Sequence, residues 1–263
     1  MECSYEYDQS CILCQKEYIM TIKLMSFNTQ HCLHYITRQI DFDAFVEEIR
    51  KHNADIIGLN EMRDQGKAAD YQAQTRILAE KLGYYHYFAK ASDVNDVNPY
   101  GNAILSRFPI IFAETIMIPD PVEKTGKPEW YETRCLLKAK IDVCGGLDVC
   151  VTHFGLNLDE QENAVETVVE NIGKEKCVLM GDFNVTPDNP LLEAIKEKMY
   201  DTAVLFTEDL KSWPSDEPTV KIDYVFTSHD LKVLSADIPA DVVSDHRPYV
   251  VEIAKYTKIA SGQ

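Results

Sequence analysis

Short apolar runs that stop abruptly at polar residues recur along the chain, and no other feature constrains its fold as much. "TIKLMSFN" ends at Asn28, "ADIIGLNE" at Asn60 and Glu61, "LDVCVTH" at His153, and "CVLMGDFN" at Asp182 and Asn184. Runs of this kind, without strict alternation, read as short strands buried on both faces. Segments with helical spacing lie between them. "DFDAFVEEIRKHN" puts Phe42, Phe45, Val46 and Ile49 on one face behind Asp41 as the N-cap. "YQAQTRILAEKLG" closes on Gly83, and "DEQENAVETVVENI" and "PLLEAIKEKM" give two more helices. "GNAILSRFPII" reads as strand, turn, strand about Pro109, and "TRCLLKAKIDVCGGLDVCVTHF" as a hairpin turning at Gly145 and Gly146. "KIDYVFTS" and "RPYVVEIAKY" read as the last two strands. Residues 91–100 and 120–131 carry no pattern and are expected to be binding loops.

Helices interleaved with hairpin-joined strands predict a mixed-sheet α/β or α+β domain, with two sheets face to face and helices outside. At 263 residues, with no repeat and no Gly/Ser linker, one domain is expected over residues 20–256. Residues 1–19 read as an N-terminal extension, or as sequence ahead of a start at Met20, and residues 257–263 as a tail. No stretch approaches the roughly 20 apolar residues of a membrane span, and the first residues lack a signal-peptide pattern. A cytoplasmic protein without membrane insertion is expected. The eight scattered cysteines fit that reducing compartment, several lying in strand-like runs where a thiol acts as a small hydrophobe. "CILC" (Cys11 to Cys14) has zinc or redox spacing but no second pair, so an incidental pair is the simpler reading.

Charge narrows the partners. The chain has 26 Lys plus Arg against 43 Asp plus Glu, a formal net charge of -17, and no dense basic run. Binding along a phosphate backbone is driven by counterion release onto a basic face. Bulk nucleic acid is therefore disfavoured.

The chemistry gathers where strands end. In an extended chain Asp182 and Asn184 face one side and Phe183 the other. Such a carboxylate and carboxamide could hold a metal, a water or a phosphoryl oxygen, or could cap a turn. "KIDYVF" puts Asp223 among Ile222, Tyr224 and Val225, where a buried acid must be paired or hydrogen-bonded. "SDHRPY" adds Asp245 and His246 before the final strand. A mouth rich in carboxylate and amide oxygens suits Mg2+ or Mn2+ better than zinc.

"MSFNTQH", "DIIGLNEM", "GNAILSRFPI", "VTHF", "VLMGDFN", "KIDYVF" and "SDHRPYVVEI" stand in the order seen in the endonuclease/exonuclease/phosphatase superfamily. The chain resembles it over nearly all of residues 22–253. "GDFN" with a distant "SDHRP" is the specific part, whereas "NEM" or "THF" alone is weak. The resemblance implies a four-layered α/β/β/α sandwich and a Mg2+-dependent phosphoesterase, with Mn2+ able to substitute. It implies Glu61 as the main metal carboxylate, with Asn28 beside it and Asp245 as a further ligand. It implies Asp182 as the residue that orients or deprotonates the attacking water, and Asn184 as an amide donor to phosphoryl oxygens. His153 and His246 become the pair flanking the phosphate, and Asp223 the acid that fixes a tautomer of His246. Arg247, Arg134, His31 and Asn102 are the expected substrate contacts, with His31 also readable as a turn residue and Arg107 as the partner of a surface acid. A phosphodiester, or a monoester, of a small or lipid-derived molecule is the expected substrate. A nuclease acting on specific ends or abasic sites, and a non-catalytic binding module on the same fold, are the alternatives.

Overall fold

The computed structural model of the chain describes residues 17–143 and 145–258. The Cys11–Cys14 pair and most of the expected extension lie outside them. In chain order the elements are β1 (Glu17–Asn28), α1 (Phe42–His52), β2 (Ile56–Arg63), α2 (Gln74–Leu82), β3 (Tyr85–Val94) and β4 (Asn98–Ser106). There follow β5 (Ile110–Met117), β6 (Cys135–Ile141), β7 (Leu147–His153), α3 (Leu158–Asn171) and β8 (Cys177–Asp182). The last are α4 (Glu193–Lys196), β9 (Tyr200–Asp201), β10 (Asp223–Thr227), β11 (Lys232–Asp237) and β12 (Tyr249–Lys258).

Two six-stranded mixed sheets form, in the orders β11-β12-β1-β2-β4-β3 and β5-β6-β7-β8-β10-β9. Each holds one parallel pair near its middle, β1 with β2 and β7 with β8. Alternation along β1 explains the layering. Ile22 and Leu24 face the second sheet, where they meet Val151, Val178 and Met180, while Met25 and Phe27 face α1 and α2. On the far side Ala164, Val165 and Val168 of α3 cover Leu136, Leu179 and Phe226. The result is the expected four-layered α/β/β/α sandwich. Gly58 packs directly against the second sheet, and a Cβ there would meet Met180 Sδ at 2.6 Å. Gly181 is required for a second reason: its φ is +147° and a Cβ would stand 1.8 Å from the Thr152 carbonyl oxygen.

The helices start and stop where the local chemistry says. Asp41 accepts a hydrogen bond from Ala44 N at 3.1 Å, Gly83 closes α2 at φ 73°, and Asn157 with Glu160 forms a capping box for α3. The helix expected in "PLLEAIKEKM" is shorter than its pattern. It is a 3-10 turn at Pro190–Leu192 and the single turn α4, because Met199 is drawn into the core and the chain enters β9 at Tyr200. Residues 91–100 are not a loop: they are the facing ends of β3 and β4, joined by a turn with Asn95 and Asp96 at positive φ. Residues 120–131 do form a loop. β1 begins at Glu17, ahead of the expected start of the strand pattern, and pairs with β12 as far as Lys258. Cys32, Cys135, Cys150 and Cys177 are buried free thiols. Burial drives the Cys32 thiol well above its usual range and Cys135 to about 12, so both stay un-ionised core residues. Among the described residues no helix is long and apolar enough to cross a membrane.

Candidate active site

Both parallel pairs end at the same mouth. In the first sheet Asn28 is opposite Asn60, and in the second His153 is opposite Asp182. Asn60 ties the two sheets together there. Its Nδ2 donates to the Thr152 carbonyl at 2.9 Å and its Oδ1 accepts from Asp182 N at 3.0 Å. Asn28 makes the second tie, with Nδ2 donating to Glu61 Oε1 at 3.1 Å and to Asp182 Oδ2 at 3.0 Å. A bulge after Leu59 swings Glu61 into position with φ 60°, and Asn184 also takes a left-handed backbone, φ 52°. Such conformations cost on the order of 1–2 kcal/mol for a non-glycine residue and are concentrated at working sites.

Asp182 is the hub. Its Oδ1 accepts from Asn184 N at 2.9 Å, and its Oδ2 lies 3.4 Å from His153 Nε2 and 3.6 Å from His246 Nε2. Directly across the ladder from it is Asp223. Two buried acids in register are tolerable because His246 stands between them, its Nδ1 donating to Asp223 Oδ2 at 2.8 Å. Burial opposes charge on His246, but Asp223 and Asp182 outweigh it and push the imidazole up to about 10. Burial likewise tends to raise Asp182, yet the two histidines and the Asn184 amide hold its carboxyl well below the usual range. For Asp223 burial wins, and its carboxyl is raised.

The tautomer of His153 follows from its neighbour. Arg134 Nη1 donates to His153 Nδ1 at 2.9 Å, and a guanidinium has no lone pair to offer in return. The ring proton of His153 therefore sits on Nε2. Asn184 Nδ2, which donates to the Phe154 carbonyl at 3.0 Å, stands 3.2 Å from that nitrogen. Two donors thus converge on one point of the mouth.

A cavity of about 620 Å³ opens over these groups and is lined by Glu61, Arg134, His153, Asp182, Asn184, Asp245 and His246. Asn28 and Asp223 lie directly behind it, hydrogen-bonded to lining residues. Three expected substrate contacts are elsewhere. Asn102 is fully engaged beneath the mouth, accepting from Asn60 at 2.8 Å and donating to the Cys135 carbonyl at 2.9 Å. Arg247 donates from Nε to the Ser215 carbonyl at 2.7 Å and braces a loop instead of facing the cavity. His31 lies beside Arg63, Asp70 and Arg38, away from the lining; burial and the arginines lower it to about 4. Arg107 pairs with Asp55 at 2.7 Å at the surface. Residues without a motif complete the walls: Tyr100, Trp130, Leu156 and Trp213 line the cavity, and Gln30 Nε2 donates to Asp245 Oδ2 at 3.1 Å. Trp130 falls in an unpatterned loop and Trp213 beside Pro214; their rarity was the one available signal.

A hard cation fits this mouth. Glu61, Asp245 and Asp182 offer only oxygen, and the sole arginine of the lining, Arg134, is already paired with Glu132 at 2.7 Å. Asn28, expected beside Glu61 as a ligand, instead turns its amide nitrogen to Glu61 and Asp182 while its Oδ1 accepts from Gln30 N at 3.1 Å. Gln30 Oε1 is buried beside Asp245 without a hydrogen-bond partner. Ligand-capable atoms of Asp182, Asp223 and His246 also fall within 4.8 Å of one another, but His246 Nδ1 and Asp223 Oδ2 are already hydrogen-bonded to each other at 2.8 Å. A second such group, Glu48, His52 and Asp241, lies on α1 and the loop before β12.

No curated protein matches the chain. Solved structures do. An endonuclease/exonuclease/phosphatase from Beutenbergia cavernae superposes with TM-score 0.72 at 21% identity, covering 91% of this chain and 73% of that one. A mannosyl-6-phosphatase from Bacteroides thetaiotaomicron gives 0.69 at 19%, covering 88% and 99%. ANGEL2, a 2',3'-cyclic phosphatase bound to adenosine-2',3'-vanadate, gives 0.66 at 17%, covering 91% and 98%. At these identities the likeness is one of fold. The model of the Endonuclease/Exonuclease/phosphatase family matches residues 25–246, which carry the polar strand ends gathered at the mouth, and the chain belongs to that family.

Proposed function

We propose that the protein is a metal-dependent phosphoesterase that hydrolyses a phosphodiester or phosphomonoester of a small molecule by attack of water. The observation that carries this reading is the set of groups converging on one mouth: Asp182 between two histidine Nε2 atoms, with Asn184, Glu61 and Asp245 alongside. Neighbours of the same fold named as a mannosyl-6-phosphatase and a 2',3'-cyclic phosphatase add support.

Glu61, Asp245 and Asp182 would hold the cation, with Asn28 bracing Glu61 and Asp182 through its amide nitrogen, and Mg2+ or Mn2+ best suited to the carboxylate oxygens. Bound there, it would oppose the charge that develops on the phosphoryl oxygens. The chain supplies the rest. His153 Nε2–H and Asn184 Nδ2 donate to non-bridging oxygens, preformed for the transition state. Asp182, ionised and weakly basic, accepts a hydrogen bond from the water and orients it. His246, held by Asp223 and charged near neutral pH, presents Nε2–H to the substrate and stabilises negative charge or donates a proton to the leaving oxygen.

The test is hydrolysis of a panel with Mg2+, with Mn2+ and with EDTA. A generic diester, a monoester, sphingomyelin, plasmid, abasic duplex and single-stranded RNA make up the panel. Turnover is expected with either metal and not with EDTA, and His246→Gln should lower kcat by about 10²–10⁴-fold. Turnover that survives EDTA and the substitution would remove this mechanism.

A further inference from the structure

The phosphoryl end of the site leaves most of the cavity to the rest of the substrate, and that part has its own chemistry. The chain contains two tryptophans. Both line this cavity, and Trp130 and Trp213 remain 38% and 40% exposed. Large indoles left half in water beside a reaction centre are surfaces waiting for something flat or apolar.

Neither indole is on a loose loop. The Trp130 segment is clamped to the start of α3: Lys127 N donates to Asn157 Oδ1 at 2.8 Å, Glu132 N to Glu160 Oε1 at 3.0 Å, and Tyr131 Oη to Asp159 Oδ2 at 2.5 Å. Lys127 Nζ lies 3.6 Å from the Trp130 ring centroid, a cation–π contact that fixes the indole further. The Trp213 segment is bridged to Val220 and held through Ser215 by Arg247. Rigid aromatic walls bind at small entropic cost.

Charge restricts what reaches them. Five lining carboxylates, Glu61, Glu129, Glu132, Asp182 and Asp245, face one arginine. A divalent cation at the mouth offsets the charge of one phosphoryl group. A second or third phosphate on the substrate would meet Glu129, while the cations of the lining are already engaged, Arg134 with Glu132 and His246 between Asp182 and Asp223.

We infer that the site takes a singly phosphorylated small molecule whose alcohol portion presents a ring face to Trp130 and Trp213, and that it rejects polyanions. The inference rests on the phosphoesterase reading for the phosphoryl end only. The ring face belongs either to a nucleobase or to a pyranose, both of which stack on indole.

Because both tryptophans lie here, the intrinsic tryptophan emission of the whole chain reports on this one cavity. It can be read with Mg2+ present in the His246→Gln variant, where turnover is slowed. Adenosine monophosphate, mannose 6-phosphate, glycerol phosphate and adenosine triphosphate are the probes. At least one of the two ring-bearing monophosphates should change the emission saturably, and whichever does so names the source of the ring. Glycerol phosphate should bind at least tenfold more weakly, and the triphosphate at least tenfold more weakly than the monophosphate. In kinetics with Mg2+, Trp130→Ala and Trp213→Ala should each raise KM for the ring-bearing ester at least fivefold relative to glycerol phosphate, with kcat changing less and Trp→Phe restoring most of the loss. No saturable response to either ring, or a triphosphate that binds as tightly as the monophosphate, overturns the inference. Ring binding without hydrolysis would sink the phosphoesterase reading and leave this one standing. Hydrolysis with no preference for rings would do the reverse.

Discussion

Arg134 and Glu61 show how much of this chemistry rests on single side chains. Arg134 Nη1 is the group that denies a proton to His153 Nδ1, at 2.9 Å, and so aims Nε2–H at the mouth. In Arg134→Met the imidazole is free to take the other tautomer, and kcat should fall on the order of 10–100-fold, as for other residues that orient a functional histidine. If KM alone rose instead, the arginine would be binding substrate directly. Glu61→Gln separates the metal from the fold. The glutamine oxygen can still accept from Asn28 Nδ2, now 3.1 Å from Glu61 Oε1, so the protein should fold, but one of the anionic ligands proposed for the cation is gone. A cation at a hundredfold excess over its Kd stabilises by about 2.7 kcal/mol, roughly 5–10 °C in Tm for a domain of this size. Differential scanning fluorimetry with and without Mg2+ should show that rise in the wild type and lose nearly all of it in Glu61→Gln. An equal rise in both would move the metal elsewhere.

Among the elements, α1 carries a titratable lock at its end. His52 Nε2 lies 2.9 Å from Glu48 Oε1, one turn earlier, and 2.8 Å from Asp241 Oδ2, while the other oxygen of Asp241, Oδ1, pairs with Lys51. The hydrogen bond to Glu48 outweighs burial, and with Asp241 raises the His52 pKa above its ordinary value of about 6.5. The protonated form is thus favoured by folding. Its contribution is fully present below the unfolded value near 6.5 and disappears as pH climbs through the raised folded value. Urea midpoints for His52→Gln should therefore fall further below wild type at pH 5.5 than at pH 9.5, and a constant gap would refute the lock. The same scale shows what the sequence made legible. Interior strands β1, β2, β7 and β8 are apolar on both faces and end in polar side chains, so their existence, their ends and the site they build could be read directly. β3 and β11 could not, because they are the two edges of the first sheet. Their exposed residues, such as Tyr85, Lys90, Lys232 and Leu234, carry no continuous apolar signal. Gln30, Trp130 and Trp213 escaped for another reason: each acquires a role only when distant segments meet at the mouth.

For the molecule as a whole, net charge and site agree. The formal charge of -17 surrounds a cavity lined by five carboxylates and one arginine, so an anionic substrate approaches against the field except where a cation would sit. A nuclease that tracks a phosphate backbone has the opposite arrangement, and its affinity falls steeply as salt displaces it. The two arrangements respond to ionic strength with opposite sign. Raising salt from 0.01 to 0.15 M shortens the screening length from about 30 Å to about 8 Å, which mutes long-range repulsion while leaving contacts at the mouth nearly intact. With Mg2+ kept saturating, kcat/KM for a phosphorylated small molecule should rise, roughly threefold, over that interval. Stopped-flow binding to the His246→Gln variant would locate the change in the association rate. A tenfold fall over the same range would instead mean that a local positive path guides the substrate, and the acidic cavity would no longer explain the selectivity proposed for it.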